Sequence, residues 1–179
     1  RDLLNKKTCL FSFLFQEKIM PPTTLKALRT LFFFTVPEAA RHIAASKTEP
    51  QGVSEQCWQQ WENGEAPIPQ SIAARMKELN EWRSLALDAT ADNIRIQMKE
   101  KSGTPEAIFV IWYDTLEDWL TLANRDPTMW RLQQAVCAAL LGMFDIVKLV
   151  RFDATSYRAW LAGREDVEAL RAEWASTQN

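Results

Sequence analysis

The stretch Val53-Ser54-Glu55-Gln56-Cys57-Trp58-Gln59-Gln60-Trp61-Glu62-Asn63-Gly64 decides how the rest of the chain is read. Ser54 can accept a hydrogen bond from a backbone N–H as an N-cap, and Asn63-Gly64 supplies a left-handed stop. The spacing therefore predicts a short helix from Ser54 to Trp61 or Glu62. On a 3.6-residue wheel Cys57, Trp58 and Trp61 fall within one apolar arc. Gln56, Gln59, Gln60 and Asn63 follow i, i+3, i+4, i+7 on the opposite side. A solvated helix face more often carries Lys and Glu, whereas this stripe is made of carboxamides alone. Such groups present a donor and an acceptor together, the pairing that reads adenine in the major groove.

The residues upstream supply a partner for this helix. Thr24 precedes an apolar stripe of Leu25, Leu28, Leu31 and Phe32 at helical spacing. Thr35-Val36-Pro37-Glu38 offers a capping box. From there Val36, Ala39, Ala40 and Ile43 line one face to about Ala45, and the small Ala39-Ala40 pair admits a close neighbour. Residues 46–52 read as a loop. Two short helices, the second exposing polar amides over aromatic anchors, make a helix-turn-helix. The wheel alone fits equally well a helix of an ordinary bundle that carries four amides by chance.

Downstream, Pro69 opens a helix with no Gly or Pro before Gly103, and a break is expected near Thr90 to Asn93. Ala107 to Tyr113 (AIFVIWY) is the one convincing strand. Thr115 caps a helix to about Ala123, and Asp126-Pro127 starts another with Trp130, Ala135, Val136, Ala139 and Leu140 inward. Two short helical patterns follow, around Tyr157 to Leu161 and Asp166 to Trp174. Trp112, Trp119 and Trp130 read as core or as a dimer surface, core being the simpler reading. An open edge on the Ala107 to Tyr113 strand needs covering, and pairing with its twin in a dimer is one way.

The chain has 179 residues, 47% hydrophobic and 25% charged, with a formal net charge of −2. That favours one or two small globular domains and sets aside disordered, collagen-like and membrane-bundle classes. Eight Trp supply large amphipathic packing surfaces, while five Gly leave few tight turns. A near-neutral total does not advertise a polyanion partner, although binding depends on where the charges sit. Cys9, Cys57 and Cys137 are odd in number and widely spaced, which excludes a disulfide framework and fits a reducing compartment. Residues 1–19 begin without Met, carry Lys6-Lys7 and then an apolar block from Thr8 to Phe15. The block is short for a signal sequence, has no small-x-small cleavage site after it, and falls below the ~18 residues of a membrane span. Met20 is the expected start, with residues 1–19 a leader or poorly ordered arm; a membrane-touching arm is the lesser alternative.

No catalytic set emerges. His42 is the one histidine and lies mid-helix beside Ile43. There is no Gly-rich phosphate loop, no Cys/His metal spacing and no nucleophile with a base. Asp114, Glu117 and Asp118 cluster where a helix starts, which suits the helix dipole. An enzyme, a cofactor, a metal and a small-molecule substrate are therefore not expected.

Residues 24–83 resemble the λ-repressor-like helix-turn-helix domains of phage and bacterial regulators, and Val53 to Gly64 is similar to their VSxxxxxxWExG recognition-helix signature. More narrowly, the chain resembles the YdiL-like group, which includes anti-CRISPR-associated autorepressors of phages. The matching pieces are Leu25-Lys26-Ala27-Leu28-Arg29, Thr35 to Ile43, Trp58 with Trp61-Glu62-Asn63-Gly64, Ile68-Pro69 and, more loosely, Trp130 to Leu140. The likeness covers about residues 24 to 142. It implies an N-terminal half that binds DNA and a C-terminal half that holds a two-fold dimer. Three departures stand out. The connection from Ala45 to Ser54 is longer than the usual turn, and residues 143–179 extend past the family core. Residues 20–83 also balance Lys26, Arg29, Arg41, Lys47, Arg75, Lys77 and Arg83 against as many glutamates, which weakens non-specific attraction to phosphates.

The resulting expectation is a mainly α chain, a λ-repressor-like helix-turn-helix bundle followed by a smaller α+β dimerisation region. The parts are 1–19 leader, 20–83 DNA-binding domain, 84–142 dimerisation region with one strand and 143–179 helical extension. The expected activity is that of a cytoplasmic, dimeric transcriptional regulator, an autorepressor reading a palindromic operator in double-stranded DNA, with no membrane partner. Gln56, Gln59 and Gln60 read base edges, with Asn63 at the margin. Lys26, Arg29, Arg41, Lys47 and Ser54 are the phosphate candidates, and Glu55 repels the backbone unless it accepts from a cytosine amine. The alternative is an antitoxin-like or adaptor module that keeps the fold without reading DNA.

Overall fold

The computed structural model describes residues 20–100 and 106–178, so the expected leader lies outside the described residues. The chain is mainly helical, with a small two-stranded parallel sheet, as its residue pattern implies. Helix α1 (Pro22–Leu31) starts on consecutive prolines, whose fixed φ suits a first turn, and ends before Phe33 at φ 67°. Helix α2 (Val36–Glu38) opens on the expected capping box and runs straight into a π-helical turn, Ala39–Ile43. Helix α3 (Glu55–Asn63) is the amide-bearing helix, and α4 (Gln70–Glu100) is the longest element. Leu25, Phe32, Trp58, Met76 and Leu79 are fully buried together and form the core of this bundle.

The break expected near Thr90 does not occur. Thr90 Oγ1 donates to the Ala86 carbonyl at 2.8 Å, so the hydroxyl is satisfied inside the helix. Ala91 and Ile94 are buried in a cluster with Val136 and Leu140, so packing outweighs the weak helix preference of the Thr-Ala-Asp-Asn segment. The expected boundary at residue 83 falls inside this unbroken helix.

In the second half, the expected strand is β1 (Ile108–Trp112), followed by α5 (Leu116–Leu120) and α6 (Pro127–Met143), capped by Thr115 and Asp126 as anticipated. A second strand, β2 (Val147–Arg151), pairs with β1 in parallel, from Ile108 opposite Val147 to Trp112 opposite Arg151. The segment 143–179, expected as a helical extension, thus carries a strand ahead of its helices. One edge of β1 finds its partner within its own chain. The carbonyls of Ile111 and of Tyr113, just past the strand, are met by side chains of α6. Gln133 Nε2 donates to the Ile111 carbonyl at 2.6 Å, and Trp130 Nε1 and Gln134 Nε2 donate to that of Tyr113 at 2.8 and 2.7 Å.

Helices α7 (Ala154–Leu161) and α8 (Glu168–Ser176) match the two short helical patterns. With β2 they place Val150, Phe152, Tyr157, Leu161 and Trp174 in one core with Ile111, Tyr113, Trp119 and Trp130. Trp119 and Trp130 are thus core residues, while Trp112 is half-buried and donates to Asp114 at 2.7 Å. Arg171, 1% exposed, is held by Asp166, Thr121 and the Tyr113 hydroxyl, which ties α8 to the end of β1. Among the described residues no helix is long and apolar enough to cross a membrane.

Candidate nucleic-acid interface

Helix α3 is built as its residues dictate. Ser54 Oγ accepts from the Cys57 N–H at 3.2 Å, and Gly64 closes the helix at φ 75°. There the Gly64 N–H donates to the Trp61 carbonyl and the Glu65 N–H to that of Gln60, the paired bonds of a glycine C-cap. Trp58 and Trp61 are 0% and 6% exposed, with ring centroids 5.6 Å apart. Gln56, Gln59 and Asn63 are exposed, and Gln60 is half-buried at the edge of the same face. Asn63 Nδ2 donates to Glu65 Oε1 at 3.1 Å, so part of its hydrogen-bonding capacity is engaged.

The cationic candidates divide. Lys26 on α1, Arg41 in the π-helical turn and Lys47 in the following loop are exposed, as is Ser54. The Ser54 oxygen acts as a cap acceptor, which leaves its proton to donate. Arg29 is placed differently. Its Nε and Nη2 donate to the two oxygens of Glu62 at 2.6 and 3.0 Å, and its Nη1 donates to the Phe34 carbonyl at 2.8 Å. With its side chain 13% exposed, Arg29 acts as an internal clamp, and we do not retain it among the phosphate candidates.

Glu62 is the residue that reading by wheel position missed. Its Oε1 also accepts from Trp58 Nε1 at 2.7 Å, so one carboxylate fastens α1, α3 and the aromatic anchor. Burial pushes the Glu62 carboxyl up, but the hydrogen bonds from Arg29 and Trp58, with Lys26 nearby, outweigh it and hold the group below its ordinary value. A signal was available in the order Trp58-x-x-Trp61-Glu62, because position 62 is one turn beyond Trp58 and reaches its indole N–H.

The long connection before α3 is stapled. The Ser46 N–H donates to the Glu49 carbonyl and the Gly52 N–H to the same oxygen, both at 3.0 Å. The Val53 N–H then donates to Ala40 at 2.9 Å. Gly52 has φ 72°, and a Cβ there would lie 2.1 Å from the Ala40 carbonyl oxygen. The close neighbour that Ala39 and Ala40 admit therefore includes the backbone of this loop. His42 is half-buried; burial and Arg41 lower its pKa, against Glu38 and Asp126. Among the described residues no three His, Cys, Asp or Glu side chains group as a metal site would require.

A model of the Aca2/YdiL-like family matches residues 20–146 of the chain. No curated protein matches it.

Proposed function

Since the chain belongs to the Aca2/YdiL-like family, a regulator-type group associated with anti-CRISPR genes, we propose that it is a sequence-specific DNA-binding repressor acting at its own promoter. In this reading α2 with its π-helical turn and α3 are a helix-turn-helix, and α3 enters the major groove. Gln56 and Gln59 read base edges, Gln60 and Asn63 act at the margin, and Lys26, Arg41, Lys47 and Ser54 contact phosphates. The second half assembles a cytoplasmic two-fold dimer, which presents two reading helices to a palindromic operator. No catalytic step is assigned. The observation that carries the reading is the amide face of α3, solvent-exposed at Gln56 and Gln59 and set over two buried tryptophans.

A second reading, an adaptor or antitoxin-like module, draws on the balanced charge of residues 20–83. The Arg29–Glu62 pair removes one charge of each sign from that balance, whereas Glu38 is neutralised by Arg131 from outside the span, so a phosphate meets one acidic charge fewer than the count gives. A mobility-shift assay with the gene's own upstream duplex separates the readings. The wild type shifts it, and the Gln56/Gln59/Gln60→Ala variant, folded to the same melting temperature, does not. Equal binding by both proteins sinks the assigned reading face, and no shift by the wild type favours the adaptor.

A further inference from the structure

The two halves are joined without slack. Helix α4 runs unbroken from Ile72, Met76 and Leu79 in the first core to Ala91 and Ile94 in the cluster beside the sheet. Helix α6 sends Leu132, 0% exposed, into the first core and Val136 and Leu140 the other way. Apolar contact is non-directional, so it fixes distance better than rotation. Two ion pairs add direction: the more exposed Arg75 Nη2 to Asp126 Oδ2 at 3.6 Å, between α4 and the cap of α6, and a closer, less exposed pair between α6 and α2. Arg131 Nε and Nη2 donate to Glu38 Oε1 at 3.0 and 2.5 Å, with side chains 22% and 20% exposed. The other oxygen, Glu38 Oε2, accepts from Thr35 N and Oγ1 at 2.8 and 2.9 Å. One carboxylate thus closes the cap of α2 and receives the cation of α6.

Arg131 is itself held in place. Its guanidinium lies 3.9 Å from the Trp130 ring centroid, and Nη1 donates to Gln134 Oε1 at 2.8 Å. Trp130 and Gln134 both donate to the Tyr113 carbonyl at the end of β1. A continuous run of polar contacts leads from the sheet through Arg131 and Glu38 to the cap of α2. From the π-helical turn that follows, the Ala40 carbonyl holds Val53 at the threshold of α3.

We propose that Arg131 is a positioning residue that sets the angle at which the reading helix is presented, and with it the half-site separation the protein accepts. This rests on the dimeric DNA-binding reading given above. Two base pairs added between half-sites displace the second by about 7 Å and turn it by about a fifth of a helical turn. A head locked by Arg131 does not follow that change. Without the guanidinium α4 and Leu132 still join the halves, but the angle of α2 against α6 is less restricted, and several spacings become acceptable.

The test uses duplexes that the full chain selects from random-sequence DNA, remade with one or two base pairs added to or removed from the centre. Wild type is expected to lose about tenfold or more in affinity on a two-pair change. Arg131→Met, which keeps the stem over Trp130, stays within about threefold across the series, and Arg131→Lys restores part of the preference. A purely structural role would weaken binding to every spacing alike and leave the profile's shape unchanged. Glu38→Gln keeps an amide at the capping position and gives the same flattened profile, an independent route if Arg131→Met does not fold. A wild-type profile retained in Arg131→Met or Glu38→Gln, or a flat profile in the wild type, overturns the inference and leaves the regulator reading standing. A wild type that selects no duplex overturns both.

Discussion

Glu62 shows how a single buried charge organises helix α3. Its side chain is 6% exposed, a position a carboxylate tolerates only with partners, and Arg29 and Trp58 supply them. Glu62→Ala leaves the Arg29 guanidinium, 13% exposed, without its counter-charge, and is expected to cost about 3–5 kcal/mol in urea unfolding. Glu62→Gln keeps the shape and loses the charge, with an expected cost of about 1–2 kcal/mol. A loss below about 1 kcal/mol for the alanine variant would mean that water takes over the carboxylate's role. At this scale the amides of α3 were legible in the sequence because helical periodicity alone separates Gln56 and Gln59 from Trp58 and Trp61. Arg29 was not, since residue type does not say which cation meets a carboxylate 33 positions away.

The elements were legible where a cap or a turn residue marks their ends. Thr35, Ser54, Thr115 and Asp126 all cap as their residue types imply. Ser54→Ala should cost about 1 kcal/mol through the lost Cys57 N–H bond, read as a lower urea midpoint with unchanged slope. Gly52→Ala should be the harsher change. It adds a Cβ 2.1 Å from a backbone oxygen at a positive φ, so the loop must move away from Ala40 and carry the start of α3 with it. We expect a loss of about 2 kcal/mol or more, and a wild-type midpoint would contradict this account of the loop. Two elements were misread for physical reasons. Thr90 and its polar neighbours carry a weak break signal that burial of Ala91 and Ile94 overrides. The strand Val147-Lys148-Leu149-Val150-Arg151 is five residues long and lacks strict apolar–polar alternation, with Leu149 and Val150 adjacent, and its partner β1 is distant in sequence.

Across the whole molecule, three carboxylates give stability a common pH dependence. Hydrogen bonds from Arg131 and Thr35 overcome burial at Glu38, and those from Arg29 and Trp58 do so at Glu62. At Asp166 the Arg171 hydrogen bond dominates and overcomes burial. All three are held below their ordinary values of 4.5, 4.5 and 3.8, so their contribution is complete above about pH 4.5 and is lost as pH falls through the folded-state values. His42 acts earlier. Its pKa is lowered from 6.5, chiefly by burial, so the unfolded chain takes the proton first and stability begins to decline below that pH. Urea midpoints against pH should show a shallow fall and then a steep one, and His42→Gln should remove only the shallow part. Residues beyond 146 lie outside the family match yet complete the sheet and the second core, so a chain ending there should lose the cooperative unfolding of that half. Fold class was legible from composition and periodicity, whereas the coupling of the halves through Glu38 and Arg131 spans 93 positions and needed the tertiary structure. The central claim is that the α3 amides read bases, and its most direct test measures affinity for every single-base substitution of the selected site, with wild type, Gln56→Ala and Gln59→Ala. Each variant should lose about 1–3 kcal/mol of discrimination at its own base pair and keep it elsewhere. Unchanged preferences, or an equal weakening on all sequences, would contradict it.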